Sequence, residues 1–223
     1  MSDLVNNSDE VAAQQQRVIN ALKVVQQEVR VYRKLAQKPP VFLKDGVPKK
    51  LRSDALTSVR LYSDRFDLMR DLVKGGAGAE VGVQHGTFSR FLLDHIQPTS
   101  LDLFDLTADL VQKDILDDAR TTMHVGDSST LLGKLPDQSL DWIYVDGDHR
   151  YAGVKRDTDV ARLKIRPGGM LIFNDYVPWS VAEVMPYGVM PVVNDLINDG
   201  FPVAGLALAN HGYYDIAVRY APL

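Results

Sequence analysis

The sequence contains no cysteine in 223 residues, which excludes disulfide bonds, thiolate metal ligands and cysteine nucleophiles. It also lacks an apolar run of about 18 residues, the length needed to span a bilayer, so we expect no membrane insertion. The formal net charge of -4 argues against nucleic-acid binding, because that function needs a basic surface to replace the counterions of the phosphates. Small-molecule partners are therefore the better expectation.

The N-terminal segment, MSDLVNNSDEVAAQQQ, has neither the basic nor the apolar part of a secretory signal, so we expect a cytoplasmic protein. Between residues 11 and 37, apolar side chains such as Val18, Leu22 and Val25 recur at spacings of three and four. This pattern predicts an amphipathic helix. Three roles stay open for the helix: packing on the main domain, contact between the subunits of a homodimer, and a lid over the active site.

Prolines and the pair Asp45-Gly46 interrupt regular structure between residues 38 and 52, which predicts a loop. We therefore divide the chain into an N-terminal extension of helix and loop, residues 1–53, and a main domain, residues 54–223. The extension would serve as a lid or as an oligomer contact.

The main domain opens with a helix-like stretch at 53–74 and then alternates strand-like with helical runs. The strand-like runs lie at 79–83, 100–106, 121–127, 141–148 and 168–176. Such alternation implies parallel pairing through right-handed crossovers, hence a Rossmann-like α/β sheet with helices on both faces. A helical run follows, and two last strands joined by a tight turn at His211-Gly212 predict an antiparallel C-terminal hairpin.

The first strand of the main domain ends in a turn that contains Gly82 and Gly86. Ligands of open α/β sheets bind at the carboxyl ends of the strands, and glycines let the backbone approach a ligand closely. The spacing is not G-x-G-x-x-G, and the acid Glu80 before the turn disfavours a pyrophosphate. A cofactor with a cationic or zwitterionic end therefore fits better than NAD.

Acidic residues also end the next two strands. Asp105 lies 23 positions after Gly82, close to the spacing at which an acid binds the hydroxyls of an adenosine ribose. We prefer it to Asp102, which alternation places nearer the middle of the strand. Asp127 and Ser128 end the third strand, where an adenine amino group could bind. The other interpretation of Asp127 is a cap of the following helix.

Five segments in this order resemble class I S-adenosylmethionine-dependent methyltransferases: AEVGVQHGTFS, LFD, VGDSS, VDGDHRY and RPGGMLIFNDY. That family closes a seven-stranded sheet with an antiparallel strand, in agreement with the C-terminal hairpin. The segment VDGDHRYAGVKRD is similar to macrolide-sugar O-methyltransferases and cephalosporin hydroxylase-like proteins, and more distantly to catechol O-methyltransferase. The resemblance implies that S-adenosylmethionine is bound by residues at the strand ends: Glu80, Gly82, Gly86, Thr87, Phe88, Ser89, Asp105, Asp127, Ser128 and Asp146.

The resemblance also implies that Asp146 binds a divalent metal, and the residue types give an independent reason. Asp146 ends one strand, and Asn174 and Asp175 end the next, so two carboxylates and an amide meet at one edge of the sheet. These are hard oxygen ligands of the kind that Mg²⁺ prefers. Relatives commonly carry two acids where this chain has Asn174 and then Asp175, so the lower charge would weaken metal binding.

His149, three residues after Asp146, is the candidate general base. A sugar hydroxyl is a poor nucleophile until it loses its proton, and a histidine with a pKa near neutrality can accept that proton. The macrolide-sugar relatives use the histidine of this motif as the base, and the resemblance carries the role to His149. Asp148 either orients the imidazole or faces solvent. The competing structural interpretation of the cluster is a loop that caps the helix beginning near Tyr151.

These features predict a Mg²⁺-dependent O-methyltransferase that acts on a hydroxyl of a sugar, glycoside or related natural product. Two alternatives stay open: a catechol-type phenol O-methyltransferase, and a non-catalytic nucleotide-binding module of the same fold. Trp179, Glu183 and Tyr187 follow the proposed metal strand and are candidates for the wall of the acceptor site, although core packing explains Trp179 equally well.

Overall fold

The computed structural model describes residues 2–37, 47–57, 59–209 and 212–220, with side chains from residue 9 onward. The chain divides into two units, Met1–Lys44 and Asp45–Leu223. The roles predicted for the extension 1–53 and the main domain 54–223 stay predictions. Most of the predicted loop, and His211 of the predicted hairpin turn, lie outside the described residues.

The first unit contains one long helix, α1 (Ser2–Ala36). No glycine or proline interrupts this segment, so nothing in its backbone chemistry ends the helix early. The predicted amphipathic helix is confirmed, and it begins earlier than the apolar pattern indicated. In the part of the chain that the structure describes, no helix combines the length and apolar character needed to cross a membrane.

The second unit is built on a mostly parallel sheet. The strands of this unit are β1 (Arg60–Tyr62), β2 (Ala77–Val81), β3 (Ser100–Asp105), β4 (Thr121–Val125), β5 (Leu140–Val145), β6 (Ile165–Phe173), β7 (Trp179–Ser180), β8 (Met185–Pro186), β9 (Val203–Ala207) and β10 (Asp215–Arg219). Strands β7 and β8 form a separate two-stranded ribbon, and the other strands form the sheet. The sheet order is β1-β9-β10-β6-β5-β2-β3-β4. β10 runs antiparallel to both of its neighbours, β6 and β9, which confirms the predicted C-terminal hairpin.

The seven predicted strands all belong to this sheet, and β1 adds an eighth at its edge. The helix predicted for 53–74 is wrong in its first half, because this segment forms a 3₁₀ turn (Ser53–Leu56) and then β1. β1 pairs with β9, from which it is separated by more than half of the chain. A three-residue edge strand has almost no local signal, and the distant partner decides its conformation.

Helices cover both faces of the sheet, as predicted. They are α2 (Arg65–Leu72), α3 (Thr87–Phe91) with a π-helical turn (Leu92–Ile96), α4 (Lys113–Leu116), α5 (Ser128–Leu132), α6 (Tyr151–Lys164) and α7 (Val189–Asn198). Along β5, Trp142 and Tyr144 pack on the side of α2 and α3, whereas Ile143 and Val145 pack on the side of α6 and α7. This alternation is the period of two that a strand buried on both faces must have.

The chain order reverses at β2, which pairs with β3 on one side and with β5 on the other. At such a reversal, the connections that leave the two strands run to opposite sides of the sheet and open a crevice at their carboxyl ends. The candidate site lies at this edge.

Candidate active site

A cleft of about 730 Å³ lies at the carboxyl ends of β2 to β5. Of the residues predicted for the site, those that line the cleft are Glu80, Gly82, Thr87, Phe88, Asp105, Asp127, Ser128, Asp146 and His149. Gly86, Ser89, Asn174 and Asp175 lie behind or beside this wall. The structure therefore brings the predicted residues to one edge of the sheet, while their binding roles stay predictions.

The glycine turn, residues 82–86, requires glycine at both of its ends. Gly82 has φ +88°, and a Cβ atom there would lie 2.0 Å from the carbonyl oxygen of Asp146. Gly86 has φ +78°, and its Cβ atom would meet Ile115 at 2.4 Å. At Gly82 the left-handed backbone and the approach to the main chain both exclude a larger side chain, whereas at Gly86 the left-handed backbone is the restriction, because the end of the Ile115 side chain can shift. The turn can therefore pass directly against the end of β5.

Asp105 connects the end of β3 to the glycine turn. Its Oδ2 accepts hydrogen bonds from the backbone N–H groups of Val83 and Gln84, each at 2.9 Å. Burial by itself raises the pKa of Asp105, but these N–H groups outweigh burial and hold the pKa below its usual range. Asp102, the alternative in the sequence, instead contacts His124 at 2.7 Å. Asp105 is therefore the acid that faces the cleft.

Glu80 is buried at the base of the cleft. The hydroxyl of Ser89 donates to its Oε2 at 2.6 Å, and burial raises the pKa of Glu80 to about 8. A carboxyl group with this pKa is protonated over most of the neutral range. Glu80 and Ser89 thus form an uncharged pair that connects β2 to α3.

At the end of β4, Asp127 acts as the N-cap of α5 and accepts from the backbone N–H of Thr130 at 2.8 Å. The hydrogen bonds from Thr130 lower the pKa of Asp127 to about 2. Ser128 donates its hydroxyl to the buried carboxyl group of Asp157 at 2.6 Å. The capping interpretation of Asp127 is confirmed, and adenine binding at this position stays a prediction.

His149 lies between the ends of β5 and β6. Its Nε2 is 3.5 Å from Asp146 Oδ1 and 3.8 Å from Asp175 Oδ2. The ring stacks on Tyr187, with centroids 4.6 Å apart and planes inclined by 12°. Nε2 is buried and has no hydrogen-bond partner among the residues that the structure describes. Burial lowers the pKa of His149, but the interaction with Asp146, with a smaller contribution from the charge of Asp175, outweighs burial and raises the pKa above its ordinary value.

Asn174 and Asp175 face different surroundings. The amide nitrogen of Asn174 donates to Asp215 Oδ1 at 3.3 Å, so its amide oxygen is the atom left for a cation. Asp175 has φ +54°, a left-handed conformation that is uncommon outside glycine, and burial raises its pKa. Within the described residues, no group of three or more His, Cys, Asp or Glu side chains is arranged to hold a metal ion.

Asp148 is exposed, which confirms the solvent-facing alternative of its two predicted roles. Its Oδ1 accepts from the backbone N–H of Arg150 at 2.9 Å, directly before α6 begins, and the side chain is 44% exposed. It therefore orders the turn before α6, although α6 itself has no side-chain cap hydrogen bond at its N-cap, Arg150.

Sequence reasoning missed Arg65, Tyr144 and Asp215. The Tyr144 hydroxyl donates to Asp215 Oδ2 at 2.5 Å, and burial raises the pKa of Asp215 to about 7. Arg65 donates to the Tyr144 oxygen at 3.3 Å and lies 3.8 Å from Asp146 Oδ2. The available sequence signal was Asp215 itself, an acidic residue at the start of the mostly apolar strand β10. The sequence carries no such signal for the other two residues. Arg65 follows a segment whose secondary structure was predicted wrongly, and Tyr144 lies in an apolar strand, where it resembles a core residue.

The outer wall is formed by the β7–β8 ribbon and the segment that follows it. Tyr187 is buried against His149, and the Tyr213 hydroxyl accepts from the backbone N–H groups of Val181 and Ala182 at 2.9 and 3.1 Å. Glu183 lines the cleft. Glu183 therefore lies where it was predicted, whereas Tyr187 is 3% exposed, stacks on His149 and is not among the described residues that line the cleft.

Residues 79–176 match the family model described as a methyltransferase domain. Among curated proteins, none matches this sequence. The matched segment contains the glycine turn, Asp105, Asp127 and the segment from Asp146 to His149. It ends with Asp175 and Tyr176, so it covers the carboxyl ends of β2 to β6.

Several solved structures share the fold. The N-methyltransferase NodS from Bradyrhizobium japonicum WM9 superposes with a TM-score of 0.54 at 15% identity, covering 71% of this chain and 95% of that chain. NodS has also been solved in complex with S-adenosyl-L-homocysteine. An S-adenosylmethionine-dependent methyltransferase from Mesorhizobium loti gives a TM-score of 0.52 at 17% identity, covering 70% of this chain and 95% of that one.

A protein from Klebsiella pneumoniae described as a candidate O-methyltransferase gives a TM-score of 0.52 at 17% identity, covering 70% of this chain and 77% of that one. At these identities, the likeness shows the shared fold. The match over residues 79–176 shows similarity to a methyltransferase domain in that segment, at the carboxyl ends of β2 to β6.

Proposed function

We propose that the protein is a Mg²⁺-dependent O-methyltransferase that acts on a hydroxyl of a sugar, glycoside or related natural product, with His149 as the general base. The observation that carries the proposal is the position of His149 Nε2. This atom is buried beside two carboxylates, without a hydrogen-bond partner among the described residues, at the edge of the cofactor cleft.

The proposed reaction is a displacement at the sulfonium methyl group. The acceptor oxygen forms a bond to the methyl carbon, the carbon–sulfur bond breaks, and S-adenosylhomocysteine leaves. The proton of the hydroxyl passes to His149 Nε2. Stacking on Tyr187 holds the imidazole plane, and Asp146 and Asp175 stabilise the imidazolium ion that forms.

The residues at the ends of β5 and β6 fit a divalent cation by their chemistry. Asp146 and Asp175 supply carboxylate oxygens, and Asn174 supplies an amide oxygen because Asp215 holds its nitrogen. When bound, Mg²⁺ would supply a Lewis acid that lowers the pKa of an acceptor hydroxyl. Arg65, 3.8 Å from Asp146 Oδ2, already offsets part of the negative charge, so we expect modest metal affinity.

A polar acceptor is favoured by the mouth of the cleft. Asp148, Arg150 and Glu183 line it, and such groups hydrogen-bond to the several hydroxyls of a saccharide. A catechol-type phenol is the second candidate, because its two adjacent hydroxyls could also bind the proposed divalent cation. The third hypothesis is a non-catalytic nucleotide-binding module. The homodimer and the cytoplasmic location stay predictions.

Replacement of His149 by alanine tests the proposal. Loss of a general base lowers the rate about 10²- to 10⁴-fold, while the affinity for S-adenosylhomocysteine should stay within about twofold because the affected atoms lie on the acceptor side. The assay measures S-adenosylhomocysteine released in the presence of a panel of glycosides and catechols. It is repeated after chelation and re-addition of Mg²⁺, which should abolish and restore turnover.

The exposed His95 provides the matched control, since His95→Gln removes a histidine far from the cleft and should keep full activity. Turnover by His149→Ala equal to that of the wild type would exclude His149 as the base. Undiminished turnover after chelation would exclude the metal. Preference for catechols over glycosides would favour the second candidate, and absence of turnover with every acceptor would favour the non-catalytic module.

A further inference from the structure

Arg65 projects from the first turn of α2 into the wall of the cleft. Its guanidinium carbon lies 4.5 Å from the ring centroid of Phe88 and 5.4 Å from that of Phe66. Phe88 is the second residue of α3, directly after the glycine turn. The cation is therefore held flat against aromatic rings beside the turn, an arrangement that favours a planar guanidinium over an ammonium.

A chain of hydrogen bonds orients this guanidinium from behind. Arg65 Nη1 donates to Tyr144, which donates to Asp215 Oδ2, and Asn174 donates to Oδ1 of the same carboxyl group. Tyr144 and Asp215 are buried, so the chain has little freedom to move. Among the residues that the structure describes, Nη1 is the Arg65 atom that donates a hydrogen bond, so the N–H groups of Nε and Nη2 are available to a ligand.

The charges around the glycine turn indicate what kind of ligand the free N–H groups of Arg65 could bind. Acids predominate there, with Asp105 and Asp146 both lining the cleft. Two other arginines also line the cleft: Arg150 is 76% exposed and lies 3.8 Å from Asp148, and Arg156 is exposed near Asp127. Within the described cleft, Arg65 is thus the partly buried cation beside the glycine turn, where a negative group of a bound cofactor would be most stabilised.

The methionine part of S-adenosylmethionine carries one negative group, its α-carboxylate, next to an ammonium. We propose that Arg65 binds this carboxylate through its free N–H groups, while Asp146 Oδ2, 3.8 Å from Arg65 Nη1, faces the ammonium. A guanidinium can hold a carboxylate with two parallel hydrogen bonds. Arg65 lies outside the segment 79–176 that matches the methyltransferase family, so its role comes from its position in the fold. The inference rests on use of S-adenosylmethionine and is independent of the acceptor.

Two ligands separate this role from a structural one. S-adenosylhomocysteine carries the carboxylate, and its decarboxylated analogue keeps the amino group, the thioether and the adenosine. Arg65→Met should weaken binding of S-adenosylhomocysteine about 10- to 100-fold, as expected for a lost charge-assisted hydrogen-bonded pair. Binding of the analogue should change less than about twofold. Titration calorimetry measures both affinities, and binding of the analogue also shows that the variant is folded.

Arg70→Met is the matched control, because it removes another arginine of α2 that is half exposed and does not belong to the described lining of the cleft, and it should leave both affinities near those of the wild type. If Arg65→Met does not fold, Arg65→Lys serves instead, with a smaller loss of about 3- to 10-fold for S-adenosylhomocysteine alone, since lysine keeps the charge but not the fork. An equal loss for both ligands would show that Arg65 only supports the fold, and an unchanged affinity for S-adenosylhomocysteine would also overturn the inference. Failure of the wild-type protein to bind S-adenosylhomocysteine would overturn the proposed methyltransferase function as well.

Discussion

The cleft has two halves, which we name by their proposed roles: a cofactor half at the ends of β2 to β4 and a catalytic half at the ends of β5 and β6. They differ in how far their polar groups are already satisfied. In the cofactor half, at the ends of β2 to β4, the predicted side chains have internal partners: Asp105 binds two backbone N–H groups, Glu80 pairs with Ser89, and Asp127 caps α5. In the catalytic half, at the ends of β5 and β6, His149 Nε2 is buried without a hydrogen-bond partner among the described residues.

This difference shows where the fold is stabilised and where it keeps unsatisfied groups. Polar contacts in the cofactor half connect strands to turns and helices, so they contribute to folding as well as to the shape of the site. In the catalytic half, His149 Nε2 forms only long charge pairs, at 3.5 Å to Asp146 and 3.8 Å to Asp175, and lacks a hydrogen bond among the described residues. A buried polar atom without a hydrogen bond costs stability and is common where chemistry occurs. Substitutions should therefore have opposite effects in the two halves.

The largest effect is expected at Gly82, where the two halves meet. In Gly82→Ala the new methyl group would lie 2.0 Å from the carbonyl oxygen of Asp146, in a residue with φ +88°. We expect a loss of about 3–5 kcal/mol in the free energy of unfolding, from overlap and backbone strain together. Urea denaturation followed by circular dichroism measures this loss.

Gly168 provides the matched control for that substitution. It also has a positive φ, +81°, but a Cβ atom there has no neighbour within 4 Å. Gly168→Ala should therefore lower the free energy of unfolding only by the backbone strain, about 1 kcal/mol. Equal losses in the two variants would mean that the approach of Asp146 to the glycine turn does not restrict this position, and the proposed contact between the halves would be wrong.

An effect of intermediate size should distinguish substitution of Asp105 from substitution of Asp175. Asp105→Ala leaves the N–H groups of Val83 and Gln84 without their acceptor, which should cost about 1–3 kcal/mol of unfolding free energy and lower affinity for S-adenosylhomocysteine. Burial raises the pKa of the Asp175 carboxyl group, and Asp175→Asn removes this group. Asparagine tolerates the left-handed backbone of residue 175. The stability of this variant should stay the same or rise by about 1 kcal/mol, while methyl transfer falls at least tenfold.

Denaturation and methyl-transfer rates of the same preparations test this contrast. If Asp175→Asn were the less stable of the two variants, or if Asp105→Ala unfolded like the wild type, the division into a satisfied half and an unsatisfied half would fail.

The last effect is the pH dependence of stability, expressed as a change in the free energy of unfolding per pH unit. The pKa of Glu80 is raised from 4.5 to about 8 by burial, so the folded state holds a proton that the unfolded state releases. The corresponding stability is complete below pH 4.5 and is lost as the pH rises through about 8, with a slope of up to about 1.4 kcal/mol per pH unit. Glu80→Gln keeps an acceptor for Ser89 and should flatten this slope between pH 5 and 8.

Denaturation at a series of pH values compares Glu80→Gln with Asp159→Asn, a substitution of an exposed acid on α6. The slope should be unchanged in the control. A slope in Glu80→Gln equal to that of the wild type would show that Glu80 is ionised in the folded protein, and the cofactor half would then contain a buried charge.

The strands and most helices followed from local patterns. Alternation of apolar runs predicted seven strands that the structure contains, because a strand buried on both faces needs continuous apolar sequence. β1 was missed because its three residues gain their conformation from β9. The helical run predicted between β3 and β4 forms only the short helix α4. A local pattern indicates an apolar face there, but the length of a helix also depends on what packs against it.

Within the site, the strand ends were predictable and the contacts between them were not. Gly82, Asp105, Asp146 and His149 sit where strand ends were expected, because turn residues and acids mark those ends. Arg65, Tyr144 and Asp215 come together from positions 71 and 79 residues apart in the sequence. Hydrogen bonds across such separations leave no periodic signal.

By itself, the sequence determined the α/β class, the edge of the sheet at which the site lies, and the absence of any cysteine chemistry, because these depend on residue types and short-range spacing. Only the tertiary structure decided that Asp127 caps α5, that Glu80 is buried beside Ser89, that Asp215 engages Asn174, and that Arg65 faces the glycine turn. Partner choice and pKa depend on distance, burial and neighbouring charge, which a linear chain acquires only when its strands are placed side by side.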